Sequence, residues 1–128
     1  MASVTTSALT ELGGKFVLNR DASGANPSLN ALSGSGTIYM IEIDNEANSS
    51  AVYLKIADGT SASPSNSTAN GSGTPDYTFI APSFSKICYS VPAGIALSTG
   101  LTYWVTTSTV VGVSVDPTND VIVRMLCG

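Results

Sequence analysis

The sequence predicts an all-β fold, an antiparallel β-sandwich of jelly-roll or immunoglobulin-like type with seven or eight short strands. Three observations carry that expectation. Small hydroxyl residues abound, 19 Ser and 14 Thr in 128 residues, and a chain rich in Thr and Val but poor in Lys and Glu suits strands and disfavours helices. Apolar residues alternate with period two from Thr37 onward, as half-buried strands require. Clusters of Gly, Pro, Asn, Asp and Ser punctuate the apolar runs at short intervals. The length fits one domain, and a hydrophobic fraction of 43% is ample for its core.

Residues 1–34 show the least periodicity and read as an extended N-terminal arm ahead of a sandwich domain of residues 35–128. The arm carries more apolar points than a linker needs. Val4, Leu9, Leu12, Phe16, Val17 and Leu18, with Leu29 and Leu32 beyond them, are candidate contacts to neighbouring subunits or to a capsid. The alternative is that Phe16–Leu18 forms an edge strand of the same sandwich. Tyr39–Asp44 and Val52–Ile56 are expected to form a hairpin. Ile43 would then face Val52, Ile41 face Leu54 and Tyr39 face Ile56, while Glu42 lies diagonal to Lys55 on the other side. Asn45–Ser50 supplies the loop.

The stretch Asp58–Pro75 holds almost nothing apolar and reads as a functional or disordered loop. Strand signals resume at Tyr77–Ile80 and Lys86–Val91. A turn at Pro92-Ala93-Gly94 leads to the short Ile95–Leu97, followed by Leu101–Thr107. A final hairpin is expected to place Val115, Val113 and Val111 opposite Val121, Val123 and Met125 across the turn Asp116–Asp120.

Charge and composition exclude several function classes. The net charge is −4, and the basic residues Lys15, Arg20, Lys55, Lys86 and Arg124 are scattered, so no patch neutralises phosphates and nucleic-acid binding is not expected. No apolar run is long enough for a membrane helix. The first residues lack the basic and apolar regions of a signal peptide, so synthesis and folding in the cytoplasm are expected. In that compartment Cys88 and Cys127 read as free thiols, and the sequons at Asn48, Asn66 and Asn70 as products of Asn- and Ser-rich loops.

The chain contains no histidine, which removes the commonest general base, the Ser-His-Asp triad and most zinc sites. Glu42, Asp44 and Glu46 alternate as a solvated strand face does and lack the glycine spacing of a calcium loop. Asp116 and Asp120 flank a proline turn, where acids serve turn geometry. In Tyr103-Trp104 the two rings point to opposite faces, so one belongs to the core rather than to a sugar-binding platform. No catalytic residue and no cofactor or metal ligand set is expected.

Short motifs extend across residues 35–128. They are Gly36-Thr37-Ile38-Tyr39, Ile43-Asp44-Asn45, Val52-Tyr53-Leu54-Lys55, Thr74-Pro75-Asp76, Val91-Pro92-Ala93-Gly94, Leu97-Ser98-Thr99-Gly100-Leu101-Thr102-Tyr103 and Asn119-Asp120-Val121 with Val123-Arg124. In their order and spacing the chain resembles a group of small virion structural proteins of tailed bacteriophages, marine and cyanobacterial ones especially. The segments Ser61–Gly73 and Val110–Val115 depart from the polar loops usual there. The resemblance implies a particle component without enzyme activity. Together with an acidic, hydroxyl-rich sandwich lacking catalytic groups, it leads to the expectation of a decoration (cement) protein on the outer capsid surface. Its partners would be the major capsid protein and further copies of itself, most simply in a trimer. The alternative is a tail- or fibre-associated module that binds host glycans.

Overall fold

A strand with one apolar face must bury it, and two stacked sheets bury both sets at once. The computed structural model describes residues 14–128. Its strands are β1 (Lys15–Asn19), β2 (Gly36–Asp44), β3 (Val52–Asp58), β4 (Tyr77–Ala81), β5 (Lys86–Leu97), β6 (Leu101–Thr106) and β7 (Ile122–Cys127), and no helix occurs among the described residues. All pairings are antiparallel, in one sheet ordered β1-β7-β2-β5 and another ordered β4-β3-β6. The core lies between them, with Ile38, Ile41, Ile43, Val123 and Met125 from the first sheet and Val52, Leu54, Ile56, Tyr103 and Val105 from the second.

The expected β2–β3 hairpin does not form. Ile41, Ile43, Val52, Leu54 and Ile56 are all buried, but β2 pairs with β5 and β7 while β3 pairs with β4 and β6. Two apolar faces that match across a hairpin match equally well across a sandwich, so periodicity does not separate the two arrangements. Tyr39 also leaves the expected face. The register against β7 steps from Ile38↔Cys127 to Met40↔Leu126, so Tyr39 is the extra residue of a bulge and Ile38 takes the core position. Glu42 pairs with Arg124 rather than approaching Lys55.

Val91–Gly94 is likewise a bulge and not a turn between strands. Opposite β2, the pairing jumps from Met40↔Ser90 to Ile38↔Ile95, and Gly94 takes φ +80°. β5 is a sheet edge, where Pro92 costs no ladder hydrogen bond.

The final hairpin is also corrected. Residues 110–115 form no strand, Val110 and Val115 are exposed, and β7 instead pairs with β1 and β2. The valine run folds over the outer face of the β4-β3-β6 sheet. There Lys55 Nζ donates to the Val110 carbonyl at 3.2 Å, and Gly112, at φ +83°, sits so close to Ser67 that a Cβ would fall 2.5 Å from that residue's Cβ. The polar stretch Asp58–Pro75 is therefore built rather than loose. Its turns are closed by Ser63 N to Ser72 O, Gly71 N to Thr68 O and Thr74 N to Gly71 O, and Pro64 and Gly73 are buried.

The described part of the expected arm belongs to the sandwich. β1 pairs along its length with β7, Ala22 and Leu32 are core residues, and Ser28 bridges Tyr103 at the β6 edge. Asp116 Oδ1 accepts from Gly24 N at 2.8 Å and Ala25 N at 3.0 Å, tying this segment to the far end of the chain. The edge-strand alternative is what Phe16–Leu18 adopts, because every other residue of β1 can face the sheet interior.

Candidate functional site

The expected contact residues divide three ways. Val4, Leu9 and Leu12 lie outside the described residues. Val17 is half-buried and packs against the core, and Leu32 is a buried core residue. Phe16 and Leu18 point outward, 63% and 42% exposed.

The antiparallel register sets these two side chains in rows across the outer face of the β1-β7-β2-β5 sheet. Phe16 lies beside Leu126, which lies beside Met40, itself 41% exposed. In the next row Leu18 lies beside Arg124, then Glu42, then Cys88. Arg124 Nη1 donates to Glu42 Oε1 at 2.6 Å, which holds both charged side chains flat on the sheet next to the apolar row. The result is an apolar strip, Phe16, Leu18, Leu126 and Met40, bordered by one ion pair. β1 is the last strand of its sheet, so one side of its backbone has no sheet partner among the described residues. Between β1 and residues 28–31 runs an open groove of about 610 Å³, lined by Leu18, Leu29, Ala31 and Tyr103 among others.

A second feature lies at the end of the sandwich where three loops meet. Asn45, fully buried, donates through Nδ2 to the carbonyls of Ser50 at 2.9 Å and Pro82 at 3.0 Å, with a longer contact to Ala81 at 3.3 Å. Its Oδ1 accepts from Asn48 Nδ2 at 3.0 Å. Asn48 in turn donates to the Asn119 carbonyl at 3.1 Å and accepts from the Asn119 amide at 2.8 Å. Loops 45–50, 82–85 and 117–119 are thereby joined through two buried amide side chains, and a satisfied buried network of this kind rigidifies what it joins. A cleft of about 310 Å³ opens between them, with Phe84 at its wall.

The acidic residues of this region do what a solvated strand face predicts. Asp44 Oδ1 accepts from the Glu46 amide at 3.1 Å in a turn, and Glu46 approaches Lys86 at 3.6 Å in the open. The structural weight of the segment falls on Asn45 and Asn48, which the sequence reading treated only as turn formers. Neither ring of Tyr103-Trp104 offers a platform, since both are almost fully buried. Trp104 Nε1 has no hydrogen-bond partner among the described residues, and its neighbour Lys55, only 1% exposed, has its ammonium pushed below the ordinary value of 10.5 by desolvation. Cys88 is exposed on the outer face and Cys127 is buried, its thiol raised to about 11 chiefly by burial, and both are free.

No protein-family model, curated protein or solved structure matches the chain.

Proposed function

We propose that this chain is a non-enzymatic structural protein of a tailed-phage virion, a decoration protein bound to the outer capsid surface through its β1 edge. The observation that carries the reading is the strip of Phe16, Leu18, Leu126 and Met40 on the outer face of a sheet whose last strand, β1, has β7 as its one strand partner among the described residues. Contiguous exposed apolar area beside an open edge is what an assembling surface needs, since strand addition supplies direction and the apolar strip supplies affinity. Val4, Leu9 and Leu12, which precede β1 in the sequence and lie outside the described residues, are proposed as further contacts to a neighbouring subunit or the major capsid protein. A closed trimer places one such face at each interface and suits a local three-fold axis of a capsid.

The test is binding to particles. Wild-type protein is expected to co-sediment with capsids lacking it, while Phe16→Asp combined with Met40→Asp, both at exposed positions, folds normally and stays in the supernatant. Equal sedimentation of the folded double variant would place the contact elsewhere. Light scattering on the isolated protein separates self-association from capsid binding.

A further inference from the structure

We infer that the cleft beside Phe84 is a binding site for a neutral saccharide. The inference stands independently of the capsid reading, because the cleft lies at the loop end and not on the outer face of the β1 sheet.

Phe84 is the first reason. It is 66% exposed and has φ +53°. For a bulky side chain the left-handed region costs energy that asparagine or glycine would not incur, and burial does not offset it here. Such strain persists only where the surroundings impose it. The backbone around Phe84 is pinned on both sides: Phe84 N donates to the Asn48 carbonyl at 2.9 Å, and Asn45 N donates to the Ser85 carbonyl at 2.8 Å. The ring is thus held in solvent by a rigid turn, at the wall of the cleft.

The lining is the second reason. Ser49, Ser50, Thr107, Thr118 and Asn119 line the cleft together with Phe84, and among the described residues no Asp, Glu, Lys or Arg does. The side-chain hydroxyls of Ser49, Ser50 and Thr118 are engaged by no other described residue, and Asn119 is fixed by its Nδ2 bond to the Ala47 carbonyl at 2.8 Å. One exposed aromatic ring with hydroxyls and an amide lining the same cleft matches a pyranose. The C–H face of such a ring stacks on an aromatic while its hydroxyls exchange hydrogen bonds with neutral donors and acceptors. The absence of charge selects against sialic or uronic acids and against phosphorylated ligands. A volume of about 310 Å³ is at the low end for small-molecule sites and suits a terminal mono- or disaccharide. The buried amides organise the three loops before any ligand arrives, so little ordering entropy opposes binding.

The test is a nitrogen–proton correlation titration of the full chain with glucose, galactose, mannose, N-acetylglucosamine, maltose and lactose, each up to ~50 mM, enough to saturate a site with Kd ~1 mM. At least one sugar is expected to cause saturable shifts at Phe84, Thr118 and Asn119. Phe84→Asn, which suits a positive φ and keeps the turn, should leave the rest of the spectrum intact and weaken that sugar ~10-fold or more. Thr118→Val, at an exposed position, should weaken it by a smaller factor. Absence of saturable shifts with every sugar overturns the inference, as does undiminished affinity in folded Phe84→Asn.

Discussion

Removing the Asn45 side chain should unpin one whole end of the sandwich. In Asn45→Ala the amide that donates to Ser50 O and Pro82 O and accepts from Asn48 Nδ2 disappears, at a site with no exposed area. Each lost bond is worth ~1 kcal/mol net, and a buried group left without a partner adds ~1–3 kcal/mol. Water can reach the Ser50 and Pro82 carbonyls at the loop surface, whereas Asn48 Nδ2 keeps only its bond to the Asn119 carbonyl. The sum is ~3–4 kcal/mol, a large share of the ~5–15 kcal/mol that holds a domain of this size. Asn45→Asp should be worse despite its equal shape, because a carboxylate would face carbonyl oxygens that now accept hydrogen bonds. Urea denaturation followed by the fluorescence of Trp104, the sole tryptophan, measures both. A loss below ~1 kcal/mol for Asn45→Ala, or Asn45→Asp more stable than Asn45→Ala at neutral pH, would refute the network as the element joining the three loops.

Two pH predictions follow from the shifted groups. The ammonium of Lys55 titrates below 10.5 in the folded chain, so between its folded value and 10.5 the unfolded chain binds more protons and stability rises with pH. Lys55→Met should therefore be more stable than wild type at pH 7, with the gap closing as pH approaches 10.5; equal stability at pH 7 would count against a desolvation cost. Asp58 accepts from the amides of Thr99 at 2.8 Å, Ser98 at 3.0 Å and Gly100 at 3.2 Å, and from Ser98 Oγ at 3.0 Å, which holds its carboxyl below 3.8. Its contribution is complete above 3.8 and is lost as pH falls through the lower folded value. Asp58→Asn should thus destabilise at pH 7 and converge with wild type in acid, as thermal melts across pH would show.

The sequence reading reached the fold class because period-two alternation reports which residues are buried, and Ile41, Ile43, Val52, Leu54 and Val123 are buried as that pattern requires. It did not reach the pairing. A face such as Ile41–Ile43 carries no label saying whether Val52–Leu54 lies beside it or across the core, and the bulges at Tyr39 and Val91–Gly94 shift register without changing composition. The valine run misled because Val111 and Val113 are half-buried in a loop rather than in a strand. Phe16 and Leu18 were legible as apolar residues outside the periodic core, but Met40 and Leu126 join them on the outer face only through the β1-β7-β2 register, which no local pattern encodes. Phe84 did leave a signal, a lone aromatic between Ser83 and Ser85 in a proline turn, where a core residue has no reason to be. The Asn45–Asn48–Asn119 network left none, since asparagine in a loop reads the same whether it caps a turn or joins three of them.

The measurement that bears most directly on the proposed role is copy number. Gel densitometry of purified virions, calibrated against the major capsid protein, is predicted to find this chain in hundreds of copies per particle, in a fixed small ratio to the capsid subunit. A handful of copies would assign it to the tail or a fibre, and its absence from purified particles would contradict a structural role in the virion.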